Sequence, residues 1–314
     1  MAPAAADPMK GILLKVSSVC CFVMMQTFIK LAGTGVMPGQ VTLYRSAFAM
    51  VPIMLYLAFR GQLRGAFHTS NLSGHLKRGF LGILSMGLGF YGLIHLPLPE
   101  AIAIGYALPL LAVIFAAVFL KEKVRIYRWS AVAIGLVGVL IISWPKLTLF
   151  RAGGFASEQA LGASAVLLSA ALGAMAMIQV RQLVETEKTA TIVLYFSLTA
   201  SVFSLFSMPF GWPPLPLGVS GLLILAGFCG GVAQILLTES YRHADVSAIA
   251  PFEYTSILLG IGISYVLFRD VPTSTMLIGT AIVVAAGIFI IYREHRLGLE
   301  RRRARKATAP QVGG

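Results

Sequence analysis

Ten stretches of about 20 mostly apolar residues each run through this chain of 314 residues, and they leave it few ways to fold. They lie near 11–33, 38–59, 79–96, 99–120, 127–145, 160–181, 190–210, 218–240, 246–268 and 273–292. A helix of that length crosses a hydrocarbon core of ~30 Å and satisfies its own backbone N–H and C=O groups. The breaks carry turn or charge chemistry: Pro38-Gly39, the polar stretch 60–78, Pro97-Leu98-Pro99, Lys121 to Arg128, and Gly211 to Pro216. Apolar residues follow one another rather than alternating, which excludes a transmembrane β-barrel. The expected fold is an all-α integral membrane protein of ten transmembrane helices. Spans three and four, joined by a very short link, must be antiparallel neighbours.

Only 12% of the residues are charged, half of the roughly 25% a water-facing domain carries. A soluble enzyme or nucleic-acid module is thereby excluded, and the net charge of +13 reads as topology. With the N-terminus inside, the inner gaps collect Lys10 and Lys15; Arg60, Arg64, Lys77 and Arg78; Lys121, Lys123, Arg125 and Arg128; Arg181 and Lys188; and Arg242. The tail adds Arg293, Arg296, Arg301, Arg302, Arg303, Arg305 and Lys306, while the outer side holds only Lys30, Lys146, Arg151 and Arg269. Positive charge marks the cytoplasmic side, so both termini are expected there, in the cytoplasmic (inner) membrane, with the basic tail on anionic headgroups. Residues 1–10 are too short and too poor in basic residues for a cleaved signal. Cys20, Cys21 and Cys229 all sit in apolar runs and make neither a disulfide framework nor a metal site, and no cofactor is expected.

The two halves of the chain echo each other. Ala101-Ile102-Ala103 matches Ala248-Ile249-Ala250 at an offset of 147, Gly138 to Ile142 matches Gly287 to Ile291 at 149, and Leu43-Tyr44 matches Leu194-Tyr195 at 151. The chain divides into a short tail (1–10), a first repeat (11–146), a second repeat (160–292) and a basic tail (293–314). Each repeat has five spans, an odd number, so the second inserts upside down, the construction of many secondary transporters.

The segment Pro99-Glu100-Ala101 through Pro109, followed by Phe119 to Lys123, Gly135 and Gly138, resembles the EamA-type repeat of the drug/metabolite transporter superfamily. So does Ser247 to Tyr254, followed by Phe268 to Pro272, Gly279 and Gly287. The resemblance implies a ten-helix carrier whose central cavity is built from helices one to four and six to nine, with helices five and ten outside. Members move amino acids, nucleotide-derived compounds, vitamins and drugs. The ending Tyr292-Arg293-Glu294 is similar to that of S-adenosylmethionine and riboflavin carriers.

Ionisable residues inside a membrane are costly and usually line a cavity. Arg45, within the second span, either snorkels to the interface, anchors an anionic substrate group, or pairs with Glu100. Glu100 opens the fourth span, where it either satisfies free N–H groups or pairs with Arg45 or Lys30. Glu253 lies two residues beyond Pro251 and suits a substrate amine or a proton; its counterpart in the first repeat is Tyr106, and Tyr254 adjoins it. Gln26 and Gln234 either bind substrate or bond neighbouring helices. Glu239, with Arg242 and Arg181, forms either an inner gate or a headgroup-level ion pair. Tyr91 and His95 share a helix face. Pro109 and Pro251 break the fourth and ninth helices and free carbonyls beside a cavity. Gly79, Gly82, Gly87, Gly89 and Gly92 thin the third helix, and Gly227, Gly230 and Gly231 the eighth.

The five histidines are scattered, and no GxSxG, HExxH or Walker motif occurs, so a membrane-embedded enzyme is not expected. The expected function is alternating-access transport of a small polar metabolite, amino-acid-like, S-adenosylmethionine-like or vitamin-like. A drug exporter or a flippase of lipid-linked cargo would use the same fold. The expected partners are a small-molecule substrate and the bilayer, in a monomer or homodimer.

Overall fold

Pro38, Pro99 and Asn71 start helices where the sequence breaks its apolar runs. Pro38 and Pro99 sit in first turns, where a missing N–H costs nothing, and Asn71 accepts a hydrogen bond from Gly74 N at 2.9 Å. The computed structural model describes residues 8–119, 121, 124–148, 157–183, 186–243 and 249–308, and among them there is no strand. The helices are α1 (Pro8–Ala32), α2 (Pro38–Phe59), the single turn α3 (Leu63–Ala66), α4 (Leu72–His95), α5 (Leu98–Gly105), α6 (Ala107–Phe119), α7 (Ile126–Leu147), α8 (Glu158–Leu183), α9 (Thr189–Leu205), α10 (Leu217–His243), α11 (Thr255–Ile263) and α12 (Ser274–Thr308).

Seven helical stretches, α5 and α6 counted together, are long and apolar enough to cross a membrane by length and composition alone. Thr191–Leu205 and Phe252–Phe268 are shorter apolar helices. The third expected span begins at Leu72 rather than 79, because the Asn71 cap starts the helix early and draws His75, Lys77 and Arg78 into it. The last helix does not stop at 292 but continues through the basic segment to Thr308.

The fourth run breaks at Tyr106, between α5 and α6. Pro109 has no N–H to give the carbonyl of Gly105 four residues earlier, so the helical ladder loosens there. The ninth run opens as a 3-10 helix, Ala250–Tyr254, which contains Pro251; it continues through α11 and closes in a π-helical turn, Ser264–Phe268.

Packing joins the two halves of the chain throughout. The tightest associations are α1 on α10, α4 on α8 and α7 on α12, and α2 lies against α9, α10 and α4. Small residues permit these approaches. A Cβ on Gly138 would meet Gly279 O at 2.8 Å, and one on Gly279 would meet Gly138 O at 2.7 Å, so α7 and α12 touch backbone to backbone. Gly79, Gly82, Gly89, Gly92, Gly227, Gly230 and Gly231 all abut a neighbouring helix, whereas Gly87 has nothing within 4 Å and thins no contact. Ile29, Leu96, Leu98 and Ile104 lie wholly inside, while Phe59, Ile126 and Leu217 project outward, 89%, 83% and 92% exposed. An outer surface this apolar suits lipid rather than water.

Candidate functional site

Besides an apolar groove of about 390 Å³ where α7 meets α12, two cavities with partly polar linings lie between the halves. The larger, of about 300 Å³, is enclosed by α1, α4, α5, α6 and α8, and its lining includes Gln26, Ser85, Phe90, Ile102, Leu108 and Ser169. Across it Ser85 Oγ donates to Ser169 O at 2.8 Å, and Ser169 Oγ donates to Ser85 O at 2.6 Å. This reciprocal pair ties α4 to α8. A matching bond ties α1 to α10, where Ser18 Oγ donates to Ala233 O at 2.8 Å. Ser18 and Ser169 stand 151 residues apart, the offset that relates Leu43-Tyr44 to Leu194-Tyr195. A buried hydrogen bond contributes about 1 kcal/mol, so Ser85→Ala/Ser169→Ala protein is expected to lose roughly 2 kcal/mol in denaturant titrations. Unchanged stability would show that the pair does not hold the two helices together.

The smaller cavity, of about 50 Å³, lies between α2, α4, α9 and α10 and is lined by Arg45, Arg78, Phe196, Ser197, Gly230 and Gln234 among others. Arg45 Nε and Arg78 Nε and Nη1 are buried and have no hydrogen-bond partner among the described residues. The Arg78 guanidinium lies 3.6 Å from the centroid of the Phe196 ring, a close cation–π contact. Gly82, in the wall of the larger cavity, abuts both Phe196 and Arg78, so the two cavities are one residue apart: a Cβ there would lie 2.7 Å from the first and 3.0 Å from the second. In the same way Gly230 abuts Arg45, whose Nε would be 3.4 Å from a Cβ. Arg45 and Phe196 are thus counterparts at offset 151, a guanidinium on α2 and a phenyl ring on α9.

Arg45 does not meet Glu100. Sequence depth places both in the outer third, but α2 packs on α4, α9 and α10, away from α5, and this turns Arg45 towards Arg78. Glu100 is buried, and its Oε2 lies 3.5 Å from Lys146 Nζ. Lys30 donates instead to the carbonyls of Leu96 and Leu93 at the end of α4, the latter at 3.4 Å, and lies 5.4 Å from the Phe268 ring centroid. Glu253 forms an ion pair with Lys15, which is only 4% exposed. Tyr106 Oη donates to Glu253 O at 2.8 Å and lies 2.5 Å from Ser256 Oγ. Tyr254 packs against the Tyr106 ring, centroids 4.9 Å apart, and its hydroxyl fills the space above Gly287 on α12. Of the residues expected to line a cavity, Gln26 faces the larger and Arg45 and Gln234 the smaller; Glu100, Tyr106, Glu253 and Tyr254 bind the helices to one another.

Glu239 accepts from Tyr56 Oη and from Arg60 Nη2, the latter at 3.2 Å, which joins α10 to α2. The side chains of Arg181, Arg242 and Pro251 lie outside the described residues, as do Ser247 and Ala248. Tyr91 and His95 share a face as expected, with ring centroids 4.2 Å apart.

A clasp absent from the sequence expectations joins the α8–α9 loop to the head of α4. Glu187 accepts from Thr69 Oγ1 at 2.7 Å, Ser70 N at 2.8 Å and Asn71 N at 3.0 Å, with His75 Nε2 4.0 Å away. These bonds, that from Thr69 foremost, hold its carboxyl below the usual glutamate value of 4.5. A lowered carboxyl stabilises the fold above its unfolded value and loses that contribution as the pH falls through its folded one. Wild-type protein is therefore expected to melt above Glu187→Gln protein at neutral pH, and the difference to shrink below the ordinary value of 4.5. A difference independent of pH would sink this account.

The EamA-like transporter family profile matches the chain twice, over residues 9–144 and 160–293. The riboflavin transporter of Vibrio cholerae is 29% identical over 90% of this chain and 93% of its own. The pseudopaline exporter of Pseudomonas aeruginosa is 28% identical over 88% and 94%, and the S-adenosylmethionine uptake transporter of Rickettsia bellii 27% over 85% and 88%. A protein crystal structure 20% identical in sequence superposes with a TM-score of 0.63 over 91% of this chain and 98% of its own, a likeness of fold.

Proposed function

Because the chain belongs to the EamA-like transporter family, and is a multi-pass membrane transporter rather than an enzyme, we propose that it moves a small polar metabolite across the cytoplasmic membrane by alternating access. Residues 11–146 and 160–292 are the two inverted five-helix repeats of this carrier, ten spans in all, with both termini cytoplasmic. The observation that carries the reading is the two-fold pattern of contacts between the halves. Ser169 to Ser85 repeats Ser18 to Ala233, and Gly79 against Thr199 repeats Gly227 against Phe48. Two halves so related can rock about a site between them.

In this reading Gln26, Arg45 and Gln234 contact the solute. The ion pairs Lys15–Glu253 and Glu100–Lys146, and Glu239 with Arg60, Arg181 and Arg242, open and close as the halves rock. The helix breaks at Pro109 and Pro251 supply the bends. The relatives' names span a vitamin, a sulfonium nucleoside and an exported metabolite, which supports a small polar solute. The test is counterflow: proteoliposomes preloaded with unlabelled S-adenosylmethionine, riboflavin or amino acids are expected to accumulate the matching labelled solute saturably. Flux that grows without limit as the outside concentration rises would overturn the carrier reading.

A further inference from the structure

Two arginines stand against one small interior cavity, and the described residues supply neither with an acid. Among the described residues the inward carboxylates are engaged elsewhere: Glu100 with Lys146, Glu253 with Lys15, Glu239 with Arg60, and Glu187 with the head of α4. Arg45 Nε and Arg78 Nε and Nη1 are buried without a partner among the described residues. Two guanidinium groups facing one cavity repel, and removing an unpaired charge from water is costly. A negative group between them would relieve both costs.

We propose that Arg45 and Arg78 form a binding site for one oxyanion group, a carboxylate or a phosphate. The inference rests on the carrier reading and names the chemical class of its solute. Guanidinium groups present N–H donors in a planar fork that matches such oxyanions. Phe196 holds the Arg78 guanidinium over its ring at 3.6 Å, and Ser197 and Gln234 add polar side chains to the lining. The space, about 50 Å³, admits a single such group, since one water takes about 30 Å³ of liquid. The Arg78–Phe196 contact and Gly82 separate this space from the cavity of about 300 Å³, which is large enough for the rest of a small solute if that contact gives way. A phospholipid headgroup carries the same oxyanion, so the test must tell solute from lipid.

The test titrates full-length protein in detergent, at constant ionic strength, with phenyl phosphate, benzoate and benzylamine, and follows the melting temperature. Phenyl phosphate or benzoate is expected to raise it and benzylamine not to. In Arg45→Gln and Arg78→Gln proteins the half-saturating concentration is expected to rise roughly ten- to hundredfold. A structural arginine lowers the melting temperature when it is replaced; these two, unpaired in the free protein, are expected to leave it unchanged or raised. If phosphatidylglycerol alone stabilises, and the variants abolish it, the site stands and its oxyanion comes from lipid. No oxyanion effect on wild-type protein, or an equal effect on both variants, overturns the site. Should a glutamine variant fail to fold, Arg45→Lys retains the charge without the fork, and undiminished phenyl phosphate binding by it would overturn the proposal. Counterflow judges the carrier separately, so protein that exchanges solute yet ignores oxyanions loses the site alone.

Discussion

Glu253→Gln protein is expected to enter the membrane, to melt well below wild type and to lose transport. Its carboxylate is the ion-pair partner of Lys15, and Lys15 is 4% exposed. Glu253 itself is 46% exposed, so water moderates the loss, but deleting it leaves the buried Lys15 charge uncompensated, at a cost of up to about 3 kcal/mol. The companion variant separates stability from mechanism. Lys15→Met/Glu253→Gln removes both charges and is expected to recover most of the melting temperature, because replacing a whole pair with apolar groups is often neutral. Transport by the double variant is still expected to fail, since the pair between α1 and the ninth-span 3-10 helix no longer forms and breaks. Full transport by folded Glu253→Gln protein would remove the residue from the mechanism.

Gly92→Leu carries the largest expected structural penalty. A Cβ at this position would overlap Val166 and stand 2.8 Å from Gly162 O, which is backbone and cannot yield. α4 and α8 would have to separate, breaking the Ser85–Ser169 bonds and opening the larger cavity to lipid. Overpacking costs about 1–3 kcal/mol and occasionally more, and the lost bonds add to that, so little folded protein is expected from detergent extraction. Gly87→Leu, on the same helix with nothing within 4 Å, is the control and is expected to be close to neutral in fluorescence-detected size exclusion. Equal yields from the two variants would contradict the packing described for α4.

The bilayer made much of this fold legible. Its thickness sets helix length, so the apolar runs, the broken fourth run and the glycine-rich third and eighth helices could be read directly from residues. What could not be read was azimuth. Arg45 and Glu100 share a depth, and depth suggested a pair, but α2 and α5 are not neighbours. Arg78 and Lys15 stand at the ends of apolar runs and looked like topology charges. The Asn71 cap places Arg78 in the second turn of α4, facing inward, and Lys15 turns to Glu253 on the ninth-span 3-10 helix. Phe196 carried no signal at all, since a phenylalanine in an apolar run is unremarked until its neighbour is a guanidinium. Glu187 was likewise invisible, because its partners Thr69, Ser70 and Asn71 lie in a distant loop.

The unlike pair Arg45 and Phe196 has an energetic consequence. Two identical halves related by inversion would give a carrier whose inward-open and outward-open forms have equal free energy, because exchanging the conformations of the halves converts one form into the other. A guanidinium on α2 where α9 presents a phenyl ring lifts that degeneracy, since only one half brings a charge that must be solvated or neutralised as the cavity opens. On the alternating-access reading, the empty protein is expected to rest with one mouth open in preference to the other, and a ligand that neutralises the charge is expected to narrow the gap and let the protein turn over.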